Sequence, residues 1–210
     1  MAPPTATPSG SSRFALIAVV LAGLLVLVAG GLFAYAVWDN PKGAAGTLLS
    51  SAIGGPFRLV DQNGKPFTDA DLNGKWHLVF FGYTHCPDVC PTTLNEIALA
   101  FAKLNKAERN DVGVVFVSVD PERDTPAVLK SYVESFDVPI VALTGSKEAV
   151  AEAAKAYRVY SAKHPRADGG YDMDHSAVVY VMDPQGRFTA TFTPDTTADA
   201  IATRLEKLLS

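Results

Sequence analysis

Residues 76–104 read WHLVFFGYTHCPDVCPTTLNEIALAFAKL, and three textures follow one another in them. The run WHLVFFGY, 76–83, is almost continuously apolar, which predicts a strand buried on both faces. From Leu94 onward the apolar residues change period. Leu94, Ile97, Ala98, Phe101 and Leu104 fall on one stripe of a helix. Between strand and helix lie both cysteines of the chain, Cys86 and Cys90, separated by three residues and each followed by proline. A buried strand feeding a loop and then an amphipathic helix is one unit of an α/β sheet. It puts the cysteines at a strand's C-terminal end, where open α/β folds usually carry their sites.

The sequence on either side extends this pattern. FRLVDQNGKPFT, 57–68, has an Asn63-Gly64 turn between two short runs, the signature of a hairpin. VGVVFVSVD, 112–120, predicts a second buried strand. Thr125 is placed to cap a helix with Pro126 at its first position, and Leu129, Tyr132, Val133 and Phe136 line one side of it. PIVALTG, 139–145, reads as a short strand, and Ser146 opens a helix through Tyr157. SAVVYVMD, 176–183, is a strand that DPQG turns into RFTATF, and Thr196 with Asp199 forms a capping-box pattern ahead of a last helix to Leu208. The order is hairpin, then alternating strands and helices, then a hairpin and a helix. It predicts an α/β fold with helices over a mixed sheet, in one domain over 53–210.

The residues before that domain are different. Positions 14–37, FALIAVVLAGLLVLVAGGLFAYAV, carry no charge. At about 1.5 Å per residue they span about 36 Å, enough for a hydrocarbon core of about 30 Å. Ala34-Tyr35-Ala36 resembles a signal-cleavage site, but the apolar run exceeds the 7–15 or so residues of a signal core, which favours a retained transmembrane anchor. No cysteine ends the run, which excludes a lipoprotein anchor. Residues 1–13 then read as a short cytoplasmic tail and 38–52 as a linker rich in Pro, Gly and Ser. Arg13 before the span orients the domain outward, and the tail lacks the arginines of a mitochondrial transit peptide. The expected location is a bacterial inner membrane, crossed once, with the domain in the periplasm. Arg13 is the sole charge before Asp39, so the remainder holds 17 of the 18 Lys and Arg against 22 Asp and Glu. With no basic block, nucleic acid is not an expected partner.

In an exported domain two cysteines oxidise unless something reduces or metallates them. A staple, a redox dithiol and a metal site all fit the spacing. A disulfide closing so short a loop stabilises little. Redox dithiols of the thioredoxin type usually leave two residues between their cysteines, and three leave room for an ion. A residue before proline avoids the α region, so Cys90 is expected just outside the helix with Pro91 at its first position. There the helix dipole favours a thiolate. Two thiolates on Cu(I) call for a third soft or borderline ligand, and imidazole suits. Of the four histidines, His77 lies on the first buried strand and His164 in a polar loop. His85 adjoins Cys86. His175, just ahead of the 176–183 strand, stands where thioredoxins carry a proline facing the dithiol, which favours a metal over disulfide exchange. Asp88 and Asp174 are candidates to orient His175 or to support Cu(II).

FFGYTHCPDVCPTTL (80–94), VSVDPERDTP (117–126) and YDMDHSAVVYVMDPQG (171–186), in this order behind one apolar span, are similar to the Sco/SenC family of copper chaperones. The resemblance covers about residues 53–210. It implies a thioredoxin-like fold and one copper ion, Cu(I) or Cu(II), bound by Cys86, Cys90 and His175. It also implies a role in assembling the dinuclear copper site of cytochrome c oxidase, with the copper-accepting oxidase subunit as partner. Other periplasmic copper chaperones or thioredoxin-like reductants are further expected partners. The loop Asp120–Arg123 is expected at the same sheet edge, shaping contact with a partner. A competing class is an enzyme, a thiol–disulfide oxidoreductase that reduces the oxidase cysteines before metallation. A peroxidase needs one activated cysteine beside an arginine, and the paired cysteines argue against it.

Overall fold

The computed structural model describes residues 53–210, together with Gly23 and Val28, which are both helical. The chain divides into two units, residues 1–48 and 49–210. Apart from those two residues, the expected tail, span and linker lie outside the described residues. Among the described residues no helix is long and apolar enough to cross a membrane.

The second unit opens with strands β1 (Arg58–Asp61) and β2 (Pro66–Thr68), paired antiparallel as the Asn63-Gly64 turn predicts. The Asp61 carboxylate accepts from the amides of Asn63 and Lys65, and Gly64 takes the left-handed φ of +77° that the turn requires. Then come β3 (Trp76–Gly82), α1 (Val89–Lys103), α2 (Lys106–Asn110), β4 (Val112–Ser118), α3 (Pro126–Val133), β5 (Ile140–Thr144) and α4 (Lys147–Ala156). A two-stranded ribbon of β6 (Ser161–Pro165) and β7 (Tyr171–His175) follows, and β8 (Val179–Met182), β9 (Phe188–Phe192) and α5 (Ala198–Leu209) complete the chain.

Seven strands form one mixed sheet in the order β2-β1-β5-β4-β3-β8-β9. The three apolar strands β3, β4 and β5 run parallel at its centre, and β8 lies antiparallel beside β3. Successive side chains of a strand point to opposite faces, so β3 serves two cores at once. Leu78 and Phe80 pack with Leu94, Ile97, Leu129 and Leu205, on the face covered by α1, α3 and α5. Val79 and Phe81 pack with Phe57, Leu72, Val150 and Tyr157, on the face covered by α4. With helices on both faces, the loop leaving β3 is held at the sheet's C-terminal edge.

The expected helix starts hold at Thr125 and Ser146, whose side chains accept from the amides of Val128 and Ala149. Two boundaries differ. The last helix is capped by Thr197, not Thr196, and Asp199 pairs with Lys103 instead of closing a capping box. The cysteine helix begins earlier than expected, with Asp88 as N-cap, so Cys90 is its second residue. Pro91 is tolerated there because first-turn amides have no intrahelical acceptor to lose.

Candidate metal centre

Cys86 sits in the loop after β3 and Cys90 in the first turn of α1, and both are free thiols. Cys90 is fully buried in one core cluster with Phe116, its sulfur in the space that a side chain on Gly82 would enter. Cys86 is half-buried. Its Sγ accepts the Cys90 N–H at 3.4 Å, so an amide unclaimed by the helix is spent on the sulfur. A thiol hydrogen bond from Cys90 pulls the Cys86 thiol down to about 4, aided by the amides of Asp88 and Cys90 and by His175, against the opposing effect of burial. The same bond to Cys86, together with burial, pushes Cys90 up. The pair therefore holds one proton across the neutral range, with the thiolate on Cys86.

His175 ends β7 and comes to the cysteines from the other side. Its Nε2 lies 3.4 Å from Cys90 Sγ, and its Nδ1 lies 3.2 Å from the carbonyl of Ser176. A carbonyl only accepts, so Nδ1 carries a proton and Nε2 is the ring nitrogen that faces the sulfurs. The rings of Tyr83 and Phe80 stand against the imidazole, with centroids 5.6 and 6.2 Å away. The ligand atoms of Cys86, Cys90 and His175 all lie within 4.8 Å of one another. Two sulfurs and one imidazole nitrogen suit a soft or borderline ion such as copper, one per chain.

The other candidates do not join them. His77 is buried at the opposite end of β3, its ring against Gly113 and its Nδ1 3.2 Å from the Lys75 carbonyl. Burial lowers its pKa. His85 is exposed and meets Thr84 Oγ1 at 3.1 Å. His164 is on β6 rather than in a loop, and its Nε2 pairs with Asp174 at 2.9 Å on the exposed ribbon. Asp174 is thus turned to His164, not to His175. Asp88 accepts from Thr92 Oγ1 at 3.3 Å and is exposed.

The Asp120–Arg123 loop lies at this sheet edge as expected, with Glu122 exposed, but the inward contacts of Asp120, Arg123 and Asp124 were not apparent from the sequence. Asp120 is buried, receives the Tyr171 hydroxyl at 2.8 Å and pairs with Arg123. Asp124 is fully buried beside the cysteine loop and accepts from Thr84 and Ser118. Their one sequence signal is a run of polar residues, SVDPERD, directly after a buried strand.

A family model described as SCO1/SenC matches residues 45–210. The chain is 46% identical over 138 residues to Protein SCO1 homolog 1, mitochondrial, of Arabidopsis thaliana, covering 66% of this chain and 41% of that one. It is 38% identical over 173 residues to Protein SCO2, mitochondrial, of Saccharomyces cerevisiae, covering 78% of this chain and 58% of that one. The chain thus spans about half the length of these two relatives. Among solved structures, Bradyrhizobium japonicum ScoI with copper bound is 49% identical, with a TM-score of 0.69 over 74% of this chain and 99% of that chain. The mixed α/β, thioredoxin-like architecture is shared with it. With the family model, these relatives and this fold in agreement, the chain belongs to the SCO1/SenC family.

Proposed function

We propose that this chain is a membrane-anchored copper chaperone. It binds one copper ion through Cys86, Cys90 and His175 and delivers it to the dinuclear copper site of cytochrome c oxidase. The observation that carries this reading is the meeting of three donors from distant parts of the chain, with the His175 Nε2 3.4 Å from Cys90 Sγ. Copper-bound relatives in Bradyrhizobium japonicum and yeast support it. Among the described residues the donor cluster holds no carboxylate, which disfavours hard cations. Transfer proceeds by ligand exchange. Thiolates of the acceptor subunit displace His175 first, because a neutral imidazole holds Cu(I) less strongly than a thiolate does. The uncharged 14–37 stretch anchors the chain in a bacterial inner membrane, with the domain in the periplasm; the support is its length and Arg13 before it.

The low thiol value of Cys86 beside a buried Cys90 favours a second reading, reduction of the acceptor's disulfide. Cys86 thiolate attacks one sulfur of that disulfide and releases the other as thiolate. Cys90 passes its proton to the departing thiolate and attacks Cys86 Sγ, which breaks the mixed disulfide and releases the second acceptor sulfur as a thiolate; this leaves a Cys86–Cys90 disulfide and an acceptor with one thiol and one thiolate.

The test compares the reduced full-length chain in detergent with His175→Ala. One copper per chain, with thiolate-to-Cu(II) charge-transfer bands that His175→Ala abolishes, supports the chaperone. Copper binding that ignores His175, beside fast reduction of a model disulfide, moves the assignment to the reductase.

A further inference from the structure

The two halves of the centre come from separate sheets. Cys86 and Cys90 follow β3 of the main sheet, whereas His175 ends β7, whose only strand partner among the described residues is β6. Main-sheet ladder bonds reach His175 only from Val179, four residues on, which pairs with Phe80 of β3. Residues 118–124, leaving β4, contact both halves. Toward the cysteines, Asp124 Oδ2 accepts the Thr84 N–H at 3.1 Å and its Oδ1 accepts the Thr84 hydroxyl at 2.6 Å, two residues before Cys86. The Ser118 hydroxyl adds a third bond at 2.6 Å. Toward the histidine, Arg123 Nη1 donates to the Tyr171 carbonyl at 3.1 Å, and the guanidinium lies 3.8 Å over the Tyr171 ring. The Tyr171 hydroxyl in turn donates to Asp120, which also pairs with Arg123.

This arrangement is costly as plain scaffolding. Asp124 is a fully buried carboxylate that makes no ion pair within 4 Å among the described residues, and Arg123 Nη2 is buried without an acceptor. Burying such groups costs stability unless hydrogen bonds offset it, and the three bonds to Asp124 make that offset at the cysteine loop. What they order is the separation of Thr84 from Tyr171, and with it that of Cys86 from His175.

We propose that Arg123 and Asp124 are positioning residues that bracket the copper site, Asp124 holding the cysteine loop and Arg123 the histidine ribbon. Neither touches the ion. The inference rests on the reading that Cys86, Cys90 and His175 bind copper together. Its content is that Arg123 acts through His175. Without the bracket the thiolates still take copper, but the imidazole is no longer held within reach. Loss of such an outer partner typically weakens metal binding about 10- to 100-fold.

The experiment is a double-mutant cycle on the full-length chain: wild type, Arg123→Ala, His175→Ala and the double variant, with Arg123→Lys and Tyr171→Phe alongside. Cu(I) affinity is measured by competition with a chromophoric chelator, and hydrogen exchange of residues 171–175 is measured on the reduced, metal-free chain. The expected result has three parts. Arg123→Ala weakens copper at least tenfold in the wild-type background and less than twofold in the His175→Ala background. Exchange at 171–175 rises. Tyr171→Phe, which removes the hydroxyl bond and keeps the ring, does the same to a smaller degree. Arg123→Lys restores little, because an ammonium does not stack and donate as a planar fork does. Equal weakening in both backgrounds, or unchanged exchange at 171–175, overturns the proposal. If wild type and His175→Ala bind copper equally, the three-ligand reading fails by itself, and the exchange data still decide whether Arg123 holds the ribbon. If Arg123→Ala does not fold, Tyr171→Phe carries both comparisons.

Discussion

Gly82 and Cys90 are packed so closely that a Cβ on Gly82 would fall 2.7 Å from the Cys90 sulfur and 2.8 Å from Phe116 Cε2. The strand thus supplies a seat for the sulfur by omitting a side chain. Gly82→Ala is expected to push the sulfur off that seat. We expect a loss of about 1–3 kcal/mol of stability from overpacking, measured by urea unfolding. Copper affinity is expected to fall with it, whereas Gly64→Ala, in a turn with open space around it, is expected to strain the turn and leave copper binding unchanged. Equal copper affinities for Gly82→Ala and wild type would show that the seat is not needed.

The thiol pair predicts a pH signature in the reduced, metal-free chain. An ordinary cysteine titrates near 8.5, whereas Cys86 is pulled to about 4 and Cys90 is pushed upward. Alkylation by iodoacetamide at Cys86 is therefore expected to be nearly flat from about pH 5 to 8, with Cys90 unreactive in its buried position. A rate at Cys86 that climbs tenfold per pH unit up to pH 8 would contradict this. Stability follows by linkage. Between pH 4 and the ordinary thiol value the folded pair holds one proton and the unfolded pair two, so stability rises with pH there. Above the ordinary value the unfolded pair holds fewer protons than the folded one, because Cys90 keeps its own, and stability falls again. The thiol contribution is thus largest near pH 8.5, and it is lost toward acid as Cys86 protonates.

The sequence revealed the parts of this molecule that are apolar on a regular period, and for a physical reason. The strands at 76–82 and 112–118 are covered by helices on both faces, so almost every position is hydrophobic and the run is visible. The ribbon that carries His175 is the opposite case. SAKHP is exposed along most of its length, YDMDH alternates half-buried Tyr171, Met173 and His175 with exposed Asp172 and Asp174, and the two cohere by backbone pairing and by contacts such as His164–Asp174 and Arg166–Asp172. The alternation in YDMDH covers only five residues and its partner SAKHP has none, so His164 reads as a loop residue and His175 as the end of a loop. The three donors were identifiable by type and by order, and the Asp120–Arg123 loop by its place at the sheet edge, but the contacts made by Asp124 and Arg123 were not. Their partners Thr84 and Tyr171 lie 40 and 48 residues away, and no spacing rule reaches that far.

The histidines outside the centre give a contrast set. His85→Ala and His164→Ala remove exposed rings that bond Thr84 and Asp174, and both are expected to leave copper stoichiometry and affinity as in the wild type. His77→Ala leaves a cavity over Gly113 in a buried position and is expected to cost about 1–3 kcal/mol of stability while copper binding persists. Thermal unfolding and copper titration of the three variants separate these outcomes. Loss of copper in His85→Ala would bring that ring into the site and reassign its bond to Thr84.

Copper itself should act as a stabilising ligand, because the three donors converge only in the folded chain. At free copper about 100 times the dissociation constant, binding to the folded state alone contributes about 2.7 kcal/mol. At about 2–4 °C per kcal/mol for a domain of this size, Tm rises by roughly 5–10 °C. Thiols of the unfolded chain also bind copper, so the measured shift falls toward the lower end. His175→Ala is expected to give a smaller shift than wild type at equal free copper, and Cys90→Ser to give almost none, since only one sulfur and the imidazole then remain. A chelator stronger than the site returns wild type to its metal-free Tm. Scans at buffered free Cu(I), under reducing conditions, compare the three chains directly. If His175→Ala and wild type rise by the same amount, the imidazole contributes nothing to holding copper, and its 3.4 Å approach to Cys90 is packing alone.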